Sequence, residues 1–103
     1  LANGGIGVVD APPSVAPWTY VDLFNAWEAG DLETAKARQT ETRAITELTR
    51  SNGSPHHNTK LIIGARTGID CGEPLPPVNR LDESQQQQLL SRANALGLIE
   101  RKA

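Results

Sequence analysis

Apolar residues open the chain as one short β-branched run and thereafter recur at helical spacing. Gly4-Gly5-Ile6-Gly7-Val8-Val9-Asp10-Ala11 reads as a brief buried strand after a glycine turn. An uninterrupted run of this kind suits a strand covered on both faces. Pro12 and Pro13 end it, because neither can donate to a sheet ladder. A loop over residues 10–16 leads to a first helix near Pro17, where proline suits the opening turn. Tyr20, Leu23, Phe24 and Trp27 then give that helix one apolar face.

Gly30 is placed to stop the helix as a left-handed cap, and Asp31 to cap a second helix at once. The pair is therefore expected to form a tight helical hairpin. Leu32, Ala35, Ile45 and Leu48 mark the buried side of the second helix, which runs to about Arg50. Glu33, Lys36, Arg43 and Glu47 mark its wet side, and Gln39 to Thr42 leave its middle half covered. Ser51-Asn52-Gly53-Ser54 breaks it.

A third helix follows Pro55, with Leu61, Ile62, Ala65 and Ile69 as its expected core face. Gly64 within it costs about 1 kcal/mol relative to alanine unless another backbone packs close there. The stretch 70–80, with Pro74, Pro76 and Pro77, crosses the surface as an extended connection. The last helix starts at a capping box formed by Asp82 and Gln85. Leu89, Leu90, Ala93 and Leu96 form its stripe, Gly97 ends it, and Leu98 folds back onto it. Gln85 to Gln88 is read as solvated helix surface. The product is one strand and four helices, and a lone strand cannot satisfy its own backbone hydrogen bonds.

Composition narrows the class. At 103 residues there is room for one compact unit, and 38% hydrophobic with 21% charged residues suits an ordered chain. Only 4% are aromatic, so the core must be aliphatic. A net charge of -2, with scattered Lys and Arg, gives no reason to expect nucleic acid or an anionic membrane as partner. Leu61-Ile62-Ile63 is the longest aliphatic run, too short to span a bilayer. A single cysteine, Cys71, suits a reducing compartment, and a cytoplasmic location is expected. The chain holds no methionine and begins at Leu1, which is expected of a piece of a longer protein.

No side-chain set carries convincing chemistry of its own. Gly5-x-Gly7 precedes its strand and lacks a third glycine, so it is no dinucleotide fingerprint. His56 and His57 are adjacent and point about 100° apart on a helix, so they are read as polar first-turn residues, not metal ligands. Cys71 has no activating base nearby in sequence. Asn52-Gly53-Ser54 matches a glycosylation sequon by letter and is read as a turn. No catalytic residue, metal site or cofactor is expected.

The order of local features nevertheless resembles a known family. Leu1-Ala2-Asn3-Gly4-Gly5-Ile6-Gly7-Val8-Val9 resembles the last barrel strand of the dihydrodipicolinate synthase / N-acetylneuraminate lyase family. Val15-Ala16-Pro17 resembles the opening of the helix that follows. Residues 24–35, from Phe24-Asn25-Ala26-Trp27 to Gly30-Asp31 and Ala35, look like the family's helical hairpin. Thr59-Lys60, Pro74-Leu75-Pro76-Pro77 and Ala95-Leu96-Gly97-Leu98-Ile99 fall in the family's order.

The resemblance implies an α/β parent, a TIM (β/α)8 barrel, of which this chain is a mainly α C-terminal portion. Residues 1–29 would be the last βα unit, and residues 30–103 the helical extension. Seven earlier strands would then be the missing neighbours of the lone one. The implied reaction is that of a class I lyase, in which a lysine forms a Schiff base with pyruvate or another 2-keto acid and a tyrosine moves protons. Both residues lie on earlier strands in the family, and nothing here matches their motifs. Lys60 belongs to the helical extension.

Val9, Asp10 and Ala11 are the positions implied at the substrate. Val9 resembles the apolar position beside the pyruvate moiety. Asp10 either touches an aldehyde-derived hydroxyl or is a strand-end carboxylate in a hydrogen-bonded turn. Ala11 stands where sialic acid lyases carry a hydroxyl, and Ser14 replaces a common asparagine. The implied partners are a 2-keto acid, the remainder of the barrel, and further copies in a homo-oligomer. The alternative is a free-standing, non-catalytic helical interaction module of the same ancestry.

Overall fold

The computed structural model describes residues 1–100. It contains four helices among them: α1 (Pro17–Glu28), α2 (Leu32–Thr49), α3 (Pro55–Thr67) and α4 (Glu83–Ala95). Short 3-10 turns at Pro12–Ser14 and Ser51–Gly53 precede α1 and α3.

The helix ends follow local chemistry. The Gly30 N–H donates to the Trp27 carbonyl and the Asp31 N–H to that of Ala26, with Gly30 at φ 74. This paired pattern closes α1 in a left-handed turn that a side chain would strain. Asp31 then accepts from the Thr34 N–H at 3.1 Å and starts α2. At α4, Asp82 accepts from the Gln85 N–H at 2.8 Å while the Gln85 side chain accepts from the Asp82 N–H at 3.0 Å. The reciprocal bonds satisfy two donors that a helix start otherwise leaves open. The same left-handed closure recurs at Gly97, and the Leu98 N–H reaches back to the Ala93 carbonyl at 3.0 Å. Gly64 is explained by the close approach expected of it. A Cβ there would sit 3.0 Å from the Ile69 carbonyl oxygen.

α1 and α2 form the hairpin, and α3 and α4 pack against each other and against α2. Ile45 and Leu48 of α2, Ile62 of α3, Leu89 and Ala93 of α4, and Leu98 are buried together. Val15 and Ala16, just ahead of α1, and Leu81, just ahead of α4, complete this cluster. Each large aliphatic side chain so buried contributes on the order of 1.5–3 kcal/mol.

Several expectations are corrected. Residues 4–11 form no strand; every residue from 1 to 10 is exposed, with Ile6 at 93% and Val8 at 72%. The reason is the missing ladder: among the described residues no second strand offers this segment backbone partners. On α1, Phe24 is 40% exposed, and the buried residues are Thr19 and Ala26. Tyr20, Leu23 and Trp27 are half-buried, because α2 covers only one flank of a broad apolar face. Leu32 is exposed in the first turn of α2, beyond the reach of the core. On α3 the core face is His57, Asn58 and Ile62, with Leu61 beside it; Ala65 and Ile69 are exposed. Ile69 lies past the left-handed cap at Gly68, so it no longer follows the helical register. Leu96 is exposed as well, because the chain reverses at Gly97 and Leu98 takes the buried place.

Candidate functional site

The loop over residues 10–16 is the candidate site, and it is built from short-range hydrogen bonds. The Asp10 carboxylate accepts from the Ala11 N–H at 2.8 Å. The Ala11 carbonyl accepts both the Ser14 N–H at 3.0 Å and the Ser14 hydroxyl at 2.7 Å. The Val15 N–H then donates to the Pro12 carbonyl at 3.0 Å. Pro12, with φ preset by its ring, nucleates this turn. Val15 and Ala16 are fully buried, so the loop is exposed at its Asp10 end and anchored at the other.

Val9, Asp10 and Ala11 are all exposed. The structure brings Asp10 and Ala11 together through their hydrogen bond, whereas Val9 makes no packed contact of the kind its apolar character suits. In the structure the Asp10 carboxylate takes part in a hydrogen-bonded turn. Its charge also acts on Tyr20. Burial raises the Tyr20 phenol above its ordinary pKa; a side-chain hydrogen bond with Thr46 opposes the rise, and the negative charge of Asp10 reinforces it.

Other polar groups are structurally committed. Lys60 Nζ donates to the Glu73 carbonyl at 3.0 Å, and Lys36 pairs with Glu33 at 3.4 Å on the surface. Neither lysine sits in the desolvated pocket that would activate an amine as nucleophile. His57 is buried, not a solvated first-turn residue as its sequence position suggests. Its Nδ1 accepts the Leu81 N–H at 2.9 Å, and its Nε2 lies 3.9 Å from the Glu73 carboxylate. The described residues contain no group of three His, Cys, Asp or Glu side chains able to hold a metal. No helix among them is long and apolar enough to cross a membrane.

A groove of about 490 Å³ lies between α1, α2 and the turn after α4, lined in part by Trp18, Asp22, Arg38, Glu41 and Leu98. Its charges are partly paired: Arg38 pairs with Glu41 through Nη1, while its buried Nε, 3.9 Å from Asp22, has no hydrogen-bond partner among the described residues. The described residues that line the groove include no Lys, Cys or His.

Sequence reasoning passes over two residues with long-range bonds. Arg66 donates to the Val15 carbonyl and so ties the site to the bundle, and Asn58 holds the end of α2 beside the start of α3. The only sequence signal for either is a polar residue at a helical core position.

Comparison with known proteins places the sequence in a family. The model of the dihydrodipicolinate synthetase family matches residues 1–96. A 4-hydroxy-tetrahydrodipicolinate synthase of Methanopyrus kandleri is 29% identical over 101 residues, covering 96% of this chain and 32% of that protein. The enzyme of the same name from Acidiphilium cryptum is 31% identical, covering 96% of this chain and 33% of its own length. A DapA-like lyase of Halobacterium salinarum is 32% identical over 99 residues, covering 96% and 32%. No solved structure matches at a significant level. The chain spans about a third of the length of the curated relatives it matches. A family match running through both the loop and all four helices assigns the chain as a whole: it belongs to the dihydrodipicolinate synthetase family.

Proposed function

We propose that this chain is the C-terminal portion of a Schiff-base-forming lyase that acts on pyruvate or another 2-keto acid, and that it is not catalytic alone. The observation that carries the reading is the coincidence of a family match over residues 1–96 with an apolar arm, Ile6 to Val9, left bare in this chain. An arm of that composition is stable when strands on either side pair with it and helices cover it. Residues 1–29 then supply the last βα unit of a (β/α)8 barrel, and residues 30–103 its helical extension, of which 101–103 lie outside the described residues. The remainder of the barrel is the partner that covers the arm.

In this reading Val9, Asp10 and Ala11 face the substrate, since barrel active sites lie at the C-terminal ends of strands and the loops beyond them. Val9 packs beside the keto acid. Asp10 is placed to meet a hydroxyl of the second substrate. The nucleophilic lysine and the proton-moving tyrosine come from outside this chain. The intact protein is a homo-oligomer of the cytoplasm.

Borohydride trapping with pyruvate tests the reading. The expected result is no added mass on this chain and one reduced adduct on the longer protein, on a lysine outside it. A stable adduct on any lysine of this chain would overturn the proposal.

A further inference from the structure

Arg66 stands in the last turn of α3, half-buried, and serves two distant carbonyls at once. Its Nη1 donates to the carbonyl of Val15, 51 residues earlier, and at 3.3 Å to that of Leu98, 32 residues later. Its guanidinium lies over the Trp18 ring, 5.1 Å from the centroid. Val15 and Leu98 are both buried, and a buried carbonyl needs a donor from the protein. A planar head with several donors and a stacking face can do all three tasks; an ammonium group has donors but no plane to lay on the ring.

Val15 is also the far end of a short chain of bonds. It closes the Pro12–Ser14 turn, Ser14 holds the Ala11 carbonyl twice, and the Ala11 N–H holds Asp10. Fixing the Val15 carbonyl therefore fixes where the Asp10 carboxylate is presented.

We propose that Arg66 is a positioning residue, latching the loop of residues 10–16 to the turn that ends α4 and so setting the place of Asp10 and Ala11 in the active site. Its role toward substrate rests on the function proposed above; its role as the latch does not. Arg66 touches no substrate. It acts through Val15.

Amide exchange on this chain tests the latch. Arg66→Met keeps the apolar stem over Trp18 and removes both hydrogen bonds. The expected result is roughly tenfold faster exchange at Ser14, Val15 and Leu98, with the interior amides of α2 unchanged. Arg66→Lys, which can restore one bond, should fall between. Equal acceleration in every helix would reveal a general stabiliser, and unchanged exchange at Val15 would show no latch; either result overturns the proposal. In the longer protein, Arg66→Met should raise KM for the electrophilic substrate more than it lowers kcat. A loss in kcat alone would refute the positioning role. If that protein forms no Schiff base at all, the function reading fails, and the exchange result still decides the latch.

Discussion

The imidazole Nδ1 of His57 accepts the backbone N–H of Leu81 at 2.9 Å, joining the first turn of α3 to the residue that precedes the cap of α4. The bond requires an unprotonated Nδ1, so a neutral ring carries its proton on Nε2, on the side of Glu73. Around it, Ser54 Oγ donates to the Asn79 carbonyl and the Gln86 side chain donates to that of Leu81 at 2.9 Å. These bonds hold the extended connection against the core without any regular element of its own.

Removing the imidazole should therefore unfasten that connection. His57→Phe leaves the Leu81 N–H without its acceptor, a loss on the order of 1–3 kcal/mol for a buried donor. Its exposed neighbour gives the control: His56→Ala should change stability by less than about 0.5 kcal/mol. Urea unfolding of both variants checks the contrast. Equal losses would show that His57 fills space rather than holding Leu81.

Asn58 offers a sharper test, because one amide nitrogen serves the end of a helix. Its Nδ2 donates to the carbonyls of Ser51 at 2.7 Å and Thr49 at 3.0 Å, with Leu48 at 3.4 Å. Asn58→Ala should cost about 1–3 kcal/mol, the range for stranding a buried acceptor. Asn58→Asp should cost more at pH 7, since it sets a carboxylate against those oxygens. There the folded-state pKa would rise above the unfolded value near 3.9, so the loss should shrink as pH falls through that window. A loss that does not ease on acidification would contradict the donor role.

Asp31 carries the opposite sign. A side-chain hydrogen bond with Thr34, joined by backbone bonds from Thr34 and Glu33, lowers its pKa below the ordinary carboxylate value. A lowered pKa means a contribution fully present above the unfolded value and lost as pH falls through the folded one. Thermal melts between pH 5 and roughly pH 2 should show that loss. Asp31→Asn keeps a capping side chain without titrating, so its melting temperature should change less across the same window. Identical slopes for both proteins would remove Asp31 from the account.

What could be read in the sequence divides by distance along the chain. Helix ends were legible because their partners are close: Asp31 with Thr34, Asp82 with Gln85, Gly30 and Gly97 with the preceding turn. Periodicity found Ile45, Leu48, Ile62, Leu89 and Ala93, the apolar centre. It could not find His57, Asn58 or Arg66, whose partners lie 24, 9 and 51 residues away and whose polarity reads as surface. At the candidate site, the turn after Asp10 was legible from Pro12 and Pro13. The latch from Arg66 was not, and no local pattern could have carried it.

The arm at residues 4–9 gives the last prediction, because its pattern and its conformation disagree. Ile6 and Val8 have the character of a buried strand and are exposed. Ile6→Thr and Val8→Thr should therefore change the stability of this chain by less than about 0.5 kcal/mol, as surface substitutions do. In a protein that supplies the missing strands, each removes apolar surface from a packed barrel and should cost about 1–2 kcal/mol. Parallel denaturation of the short and long proteins reads the difference directly. A cost confined to the long protein supports the proposed barrel strand. Equal, negligible costs in both would mean that the arm stays uncovered even when the rest of the protein is present, and residues 1–29 would have to be read as something other than a βα unit.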